Sequence, residues 1–244
     1  MAMIEVANLT KRYRDRVAVD DLSFTVEEGA ILGFLGPNGA GKSTTMKVLT
    51  GFLPPSQGSA RVAGFDVFES PLEVKRRVGY LPESPPLYVE MTVRGYLRFV
   101  AELKRLPGRG LRAEVDRVAG LVGVTHVMDR VIQNLSKGYK QRVGIGQALL
   151  GAPPVLILDE PTEGLDPTQR ADVRTLIKSF AGKHTVILST HVLPEITMTC
   201  QKVLIINQGK VVAHDDIDKL ASLHGQAANA PLSLEEIFIK LTAA

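Results

Sequence analysis

The sequence predicts an α/β fold: a core with a mostly parallel sheet, an N-terminal antiparallel β subdomain and an inserted helical subdomain. Three observations predict it. First, short apolar runs such as Ala30–Leu35 and Val155–Leu158 are each followed by a helical stretch, and strands alternating with helices make a parallel sheet covered on both faces. Second, the turn between Leu35 and the first helix reads Gly36-Pro37-Asn38-Gly39-Ala40-Gly41-Lys42-Ser43-Thr44, which fits G-x-x-x-x-G-K-[ST], the phosphate-cradling P-loop. Third, strand patterns stop after a proline-rich stretch near residue 84 and do not resume until about 151.

Taken in order, Ile4–Tyr13 and Val17–Val26 read as two strands, the second with partial alternation and closed by Glu27-Glu28-Gly29, which suits antiparallel pairing. Ala30–Leu35 is the P-loop strand. Thr44–Thr50 is its helix, with Gly51 where a C-cap belongs and Pro54-Pro55 beyond. Ser59–Val62 and Arg77–Leu81 follow as strands. Pro82, Pro85 and Pro86 then break regular structure. Thr92 can N-cap a helix whose Val93, Tyr96, Leu97 and Val100 recur at helical spacing, ended by Pro107-Gly108. Leu111, Val115, Val118 and Val122 form a second amphipathic stripe, and a third helix is expected from about Gly138 to Leu150. The core resumes with the strand Val155–Leu158, the helix Thr168–Phe180 and the strand Thr185–Thr190. Lys202–Asn207 and Lys210–Ala213 then flank Gln208-Gly209 as a hairpin. Gln226–Ala230 reads as a soft linker and Leu234–Ile239 as a short amphipathic segment. The expected division is a core lobe of residues 1–83 and 151–225, a helical lobe of 84–150 and a short tail of 226–244.

The chemistry follows from where polar groups fall. In a P-loop the glycines turn backbone N–H groups toward phosphate oxygens, and the helix N-terminus adds its partial positive charge. Lys42 would reach the β- and γ-phosphates and Ser43 would hold Mg²⁺. Chance yields this pattern in about 1% of chains of this length, and the strand and helix on either side lower that further. Three more polar groups end apolar strands, where open α/β sheets place ligands. Asp159 ends Val155–Leu158 and suits a Walker-B role toward Mg²⁺. Glu160 is placed to orient or deprotonate an attacking water. His191 ends the strand from Thr185 and could contact the γ-phosphate and that water. Alone, an Asp-Glu pair is usually a solvated loop and a lone His usually structural. Beside a P-loop they make a site for metal-assisted hydrolysis of a phosphoanhydride.

Composition narrows the class. The chain has 244 residues, 45% hydrophobic and 23% charged, with formal net charge +3, an ordinary globular balance. The mild basic excess could serve phosphate binding or an anionic membrane surface, and a solvated basic face accounts for it equally well. Cys200 is the only cysteine, so no internal disulfide forms, and a reducing compartment fits. The first residues lack the basic-then-apolar pattern of a secretory signal. No window approaches the ~18 apolar residues of a bilayer span. If the chain serves a membrane process, the membrane part is another polypeptide.

Two further stretches complete a set. Asn134-Leu135-Ser136-Lys137-Gly138 resembles the signature of the ATP-binding-cassette (ABC) ATPases, commonly L-S-G-G-Q. Gly164-Leu165-Asp166-Pro167 resembles their D-loop, Leu156–Pro161 their Walker B and Ser189-Thr190-His191 their switch-histidine loop. Tyr13 falls where the family has an aromatic that stacks on adenine, and Leu81-Pro82-Glu83 where it has the Q-loop. The motifs occur in the family's order over nearly the whole chain. The resemblance implies that two cassettes pack head to tail, with each ATP sandwiched between the P-loop of one and the signature of the other. Ser136 and the Gly138 amide would then donate to the γ-phosphate across the interface. Glu83 would stand beside Ser43 and Asp159 at the metal. Three positions depart from the pattern: Lys137 replaces Gly, Tyr139 replaces Gln, and Glu83 replaces the usual Gln, a stronger metal ligand that adds charge near the phosphates.

Gly79-Tyr80-Leu81-Pro82-Glu83, the Leu-Ser-Lys-Gly-Tyr signature and Ser233–Phe238 resemble the branch that powers ABC-2-type exporters, including multidrug and gliding-motility-associated ATPases. That resemblance implies an ATP- and Mg²⁺-dependent ATPase, homodimeric, bound to a separate transmembrane permease subunit on the cytoplasmic face of the cell membrane. No nucleic acid is expected as partner. A soluble ABC ATPase acting on ribosomes or DNA is the alternative, and a single cassette without a long heptad run argues against it. A cassette that binds ATP without hydrolysing it is the other alternative, against which Lys42, Glu160 and His191 stand.

Overall fold

Two sheets face each other across one apolar layer, and helices cover the far side of the larger one. The structure is a computed structural model that describes residues 1–225 and 232–242. The linker expected at Gln226–Ala230 lies outside the described residues.

The N-terminal sheet is antiparallel. It contains β1 (Ala2–Tyr13), β2 (Arg16–Glu27), β4 (Gln57–Val62) and β5 (Phe65–Asp66) in the order β2-β1-β4-β5. β2 shows why it pairs this way: its C-terminal half alternates buried and exposed residues, with Leu22, Phe24 and Val26 inward and the other face in water. The second sheet has six strands, in the order β10-β9-β3-β8-β7-β6. They are β3 (Ile31–Leu35), β6 (Val78–Leu81), β7 (Val155–Asp159), β8 (Thr185–Thr190), β9 (Lys202–Asn207) and β10 (Lys210–Asp216). All pairings are parallel except that of β10 with β9, the hairpin expected around Gln208-Gly209.

β3, β7 and β8 are buried along their whole length, which is why their sequences are continuous apolar runs. Their side chains still alternate. Leu32, Phe34, Val155, Ile157 and Ile187 join the cluster beneath the antiparallel sheet, together with Met46 and Leu49 of α1 (Lys42–Leu49). Ile31, Leu35, Leu156, Leu158, Val186 and Leu188 join the cluster beneath the helices. Each such residue fully buried contributes about 1.5–3 kcal/mol.

The helical cover begins with α3 (Val93–Leu103), α4 (Leu111–Leu121) and α5 (Lys137–Leu149). Thr92 caps α3 by accepting from the Gly95 N–H at 3.1 Å, as its position in the sequence predicts. Val93, Tyr96 and Leu97 are buried, and so are Leu111, Val115, Val118 and Val122. Gln147 on α5 donates to the Tyr80 carbonyl at 2.6 Å and so ties this block to β6. α6 (Pro167–Lys178) starts one residue earlier than Thr168, because the Asp166 side chain accepts from the Gln169 N–H at 2.9 Å and caps it. α9 (Leu234–Thr242) places Leu234 and Ile237 in the same cluster as the helical block.

β5, α2 (Pro71–Arg77), α7 (Leu193–Thr199) and α8 (Ile217–Gly225) escape sequence reading, as do two short 3₁₀ turns at Thr125–Val127 and Ile132–Asn134. β5 has two residues, and α2 and α7 have seven each, too few for a helical period to emerge. Arg77, expected to open a strand, is the last residue of α2. Among the described residues no helix is long and apolar enough to cross a membrane.

Candidate nucleotide-binding site

The site begins where β3 runs out. Gly36 leaves the strand so close to β9 that a side chain would collide with Ile206. Gly39 and Gly41 take φ of 81° and 108°, a region open to glycine. The Ala40 N–H donates to the Pro37 carbonyl at 3.2 Å, and the Gly209 N–H donates to the Ala40 carbonyl at 2.9 Å, pinning the loop to the β9–β10 hairpin. No side chain caps α1. Its first-turn N–H groups, from Lys42, Ser43 and Thr44, have no intrahelical acceptor and form an anion-binding end. Gly51, at φ 64°, closes the other end: the Phe52 N–H donates to the Lys47 carbonyl and the Gly51 N–H to the Val48 carbonyl, each at 2.9 Å.

Lys42 is 6% exposed. Its Nζ donates to the Gly36 carbonyl at 2.7 Å and the Pro37 carbonyl at 3.3 Å, folding back over its own loop. It also lies 3.6 Å from Glu160 Oε1. That oxygen is 3.0 Å from His191 Nδ1, and His191 Nε2 is 4.0 Å from Glu163. One carboxylate thus stands between the P-loop lysine and the histidine that ends β8. Glu160 has φ 49°, a strained conformation for a side chain with a Cβ, and its N–H donates to the Ser189 carbonyl at 2.9 Å. The β7–β8 ladder therefore holds it.

These groups line a cavity of about 580 Å³. Of the residues singled out from sequence, Tyr13, Asn38, Gly39, Gly41, Lys42, Ser43, Thr44, Glu83, Glu160 and His191 line it. Gly36, Pro37 and Ala40 form the structural side of the loop. Arg16, Ala18 and Glu163 also line the cavity and were not singled out. Arg16 opens β2, opposite Tyr13 at the end of β1, where nothing local distinguishes it from a solvated arginine. Lys11 Nζ lies 5.5 Å from the centre of the Tyr13 ring.

Asp159 is 1% exposed, and its Oδ1 has no hydrogen-bond partner. A buried carboxylate oxygen is rarely left so. The donor set of Ser43, Asp159 and Glu83 is all oxygen, the chemistry of a hard divalent cation, so the residues fit Mg²⁺. The Tyr80 hydroxyl, also buried without a partner, is pushed well above its usual range by burial, then by Asp159 and Glu83.

Ser136 and Gly138 are not in this cavity. They line a separate depression with Gly123, Tyr139, Arg142, Gln169 and Asp172. Ser136 is the N-cap of α5, accepting from the Tyr139 N–H at 3.5 Å. A side chain at Gly138 would meet Gln169 Cδ at 2.6 Å, so α5 and α6 touch there. The Tyr139 hydroxyl bonds His126 Nε2 at 2.9 Å. Lys137 is exposed, and its side chain lies against Gly164 of the D-loop stretch.

The ABC transporter family pattern matches residues 19–163, more than half of the chain. The chain belongs to the ABC transporter family. Among its curated relatives is the bacitracin transport ATP-binding protein BcrA of Bacillus licheniformis, 39% identical over 89% of this chain and 71% of its own length. Another is the ABC transporter ATP-binding protein NatA of Bacillus subtilis, 34% identical over 89% of this chain and 91% of its own. The ABC transporter ATP-binding protein YbhF of Escherichia coli is 35% identical over 98% of this chain. This chain spans only 41% of the length of YbhF. Among solved structures, an ATP-binding subunit of an ABC transporter matches with a TM-score of 0.87 at 30% identity, covering 98% of this chain and 99% of that one. The cbiO1 protein of Clostridium perfringens matches with a TM-score of 0.82 at 26% identity, covering 98% of each. The ABC fold is thus that of a P-loop NTPase core with an antiparallel β sheet and a block of helices between β6 and β7.

Proposed function

We propose that this chain is the ATP-binding and ATP-hydrolysing subunit of an ABC membrane exporter. The observation that carries the reading is Glu160, held by His191 at 3.0 Å and facing Lys42 at 3.6 Å in the cavity at the N-terminus of α1.

The uncapped N–H groups of Lys42, Ser43 and Thr44 bind the phosphates, with those of the glycine turn before them. Lys42 exchanges its loop carbonyls for the β- and γ-phosphate oxygens. Tyr13 stacks on the adenine. Ser43 and Asp159, with Glu83 beside them, would hold Mg²⁺, which would supply charge neutralisation on the phosphate oxygens. Glu160 accepts the proton of the attacking water. His191 orients Glu160 through Nδ1 and leaves Nε2 for the γ-phosphate side.

Ser136 and Gly138 complete the site from a second copy of the chain. Their place in a depression apart from the P-loop cavity supports that reading. ATP then joins two copies, and hydrolysis removes the charged group both hold. The core lobe of residues 1–83 and 151–225 carries the P-loop, and the helical lobe of 84–150 carries the signature. The dimer works at the cytoplasmic face of the cell membrane, on a permease carried by another chain. The bacitracin transport named for BcrA supports a transport role, and the branch resemblance supports export.

The test is phosphate release by the purified chain with ATP, with and without Mg²⁺, beside a pull-down from gently solubilised membranes. Mg²⁺-dependent release and a polytopic partner support the proposal. No release together with ribosomal partners overturns it.

A further inference from the structure

Glu195 takes no part in the reading above, although its carboxylate is 5% exposed and stands in the first turn of α7, just past His191. Two hydroxyls serve it. Thr162 Oγ1 donates to Oε1, and Thr190 Oγ1 donates to Oε2 at 3.0 Å. The Thr190 hydroxyl also accepts from the Val192 N–H at 3.0 Å. Both threonines are buried, at 5% and 0% exposed. Among the described residues Glu195 makes no ion pair.

A buried carboxylate without a cationic partner is an expensive way to fill space, and an apolar side chain of similar shape would stabilise the core better. What the carboxylate does that an apolar group cannot is accept from two hydroxyls at once. Those hydroxyls belong to the two segments that matter. Thr162 closes the turn that follows Glu160, where the Glu163 N–H donates to the Glu160 carbonyl at 3.1 Å and the Leu165 N–H to the Thr162 carbonyl at 3.2 Å. Thr190 directly precedes His191. Glu160 itself sits at φ 49°, a conformation that persists only when its surroundings over-determine it. Glu195 does not line the nucleotide cavity.

We propose that Glu195 is a positioning residue: by clasping Thr162 and Thr190, it holds Glu160 and His191 in register for hydrolysis. It also makes the Pro161–Pro167 turn and the His191 segment move together. The inference rests on the ATP-hydrolysis reading for its rate consequence, and on geometry alone for the placement of His191.

The test uses the full chain with Thr162→Val and Glu195→Leu, both close in shape to the native side chains, and Glu195→Gln. The first two lower kcat about 10- to 100-fold, the scale of a small misplacement of a catalytic group. KM for ATP stays within about twofold, since the phosphate cradle is untouched. Glu195→Gln recovers most of the rate, because its amide can accept from Thr190 and donate to Thr162. The second readout needs no turnover. The imidazole ¹⁵N signals of His191 move in Thr162→Val and Glu195→Leu, while those of His184, bonded to the Pro153 carbonyl at 2.7 Å, stay in place. If Glu195→Leu does not fold, Thr162→Val carries both readouts. Unchanged kcat in Thr162→Val and Glu195→Leu, an equal loss in kcat and ATP affinity there, or unmoved His191 signals overturns the inference. If the unaltered chain releases no phosphate, the functional reading fails, and the His191 signals alone decide whether the clasp exists.

Discussion

The P-loop cavity and the signature depression are built on different plans. The cavity draws on the ends of β1, β3, β6, β7 and β8, and its charged groups are in contact: Lys42 with Glu160, and Glu160 with His191. The depression is a seam between α5 and α6, lined by Ser136, Gly138, Gln169 and Asp172. Its one ion pair, Arg142 to Asp172 at 2.8 Å, ties those two helices together rather than facing a ligand. The difference teaches that a single chain brings the P-loop, Glu160 and His191 together. The signature stretch stands apart from them, which is the arrangement the proposed completion in trans requires.

Four substitutions test that division. Glu160→Gln should lower phosphate release about 10²- to 10⁴-fold, the usual worth of a general base, while equilibrium binding of ATP stays within about twofold. Equal losses in rate and binding would show that cradle and acid are not separable. Lys42→Ala comes next. A charge-assisted hydrogen bond contributes about 1.5–3 kcal/mol, so ATP affinity should fall about tenfold to a hundredfold. Undiminished binding would mean that the loop amides alone hold the phosphates. Tyr13→Ala should weaken ATP by about 1 kcal/mol, the scale of an aromatic stack, and leave inorganic triphosphate binding unchanged. Equal effects on both ligands would remove Tyr13 from the base. Ser136→Ala should leave ATP binding by the monomer unchanged and cost about 1 kcal/mol of stability through loss of the α5 cap. It should also reduce the ATP-dependent dimer that Glu160→Gln accumulates in size-exclusion chromatography. Weaker monomer binding in Ser136→Ala would break the comparison outright.

Legibility in the sequence followed the reach of each signal. The P-loop could be read whole because its residues are contiguous and its glycines, lysine and serine all act locally. The doubly buried strands β3, β7 and β8 could be read because a strand with no solvent face is written as an apolar run. α7 could not: it has seven residues, with Pro194 near its start and no complete apolar stripe. The Glu195 clasp was equally hidden. Thr162 and Thr190 approach one carboxylate only because Asp159 pairs with Ser189 in the β7–β8 ladder. No periodicity records that register. Arg16 and Glu163 reached the cavity in the same way, one through the β1–β2 pairing and one through the turn after β7, whose positions the sheets set.

By itself the sequence determined most of the strands and helices, β5, α2, α7 and α8 excepted, together with the candidate phosphate-site residues and the order in which they occur. Those are properties of neighbouring residues: backbone preference, apolar period and motif spacing. Only the tertiary structure decided the strand order β10-β9-β3-β8-β7-β6, the meeting of Lys42, Glu160 and His191, and the separation of Ser136 from the cavity. Such contacts join residues far apart in the chain. They exist because one packing of the two apolar clusters is lower in free energy than its alternatives, and that choice belongs to the whole core at once.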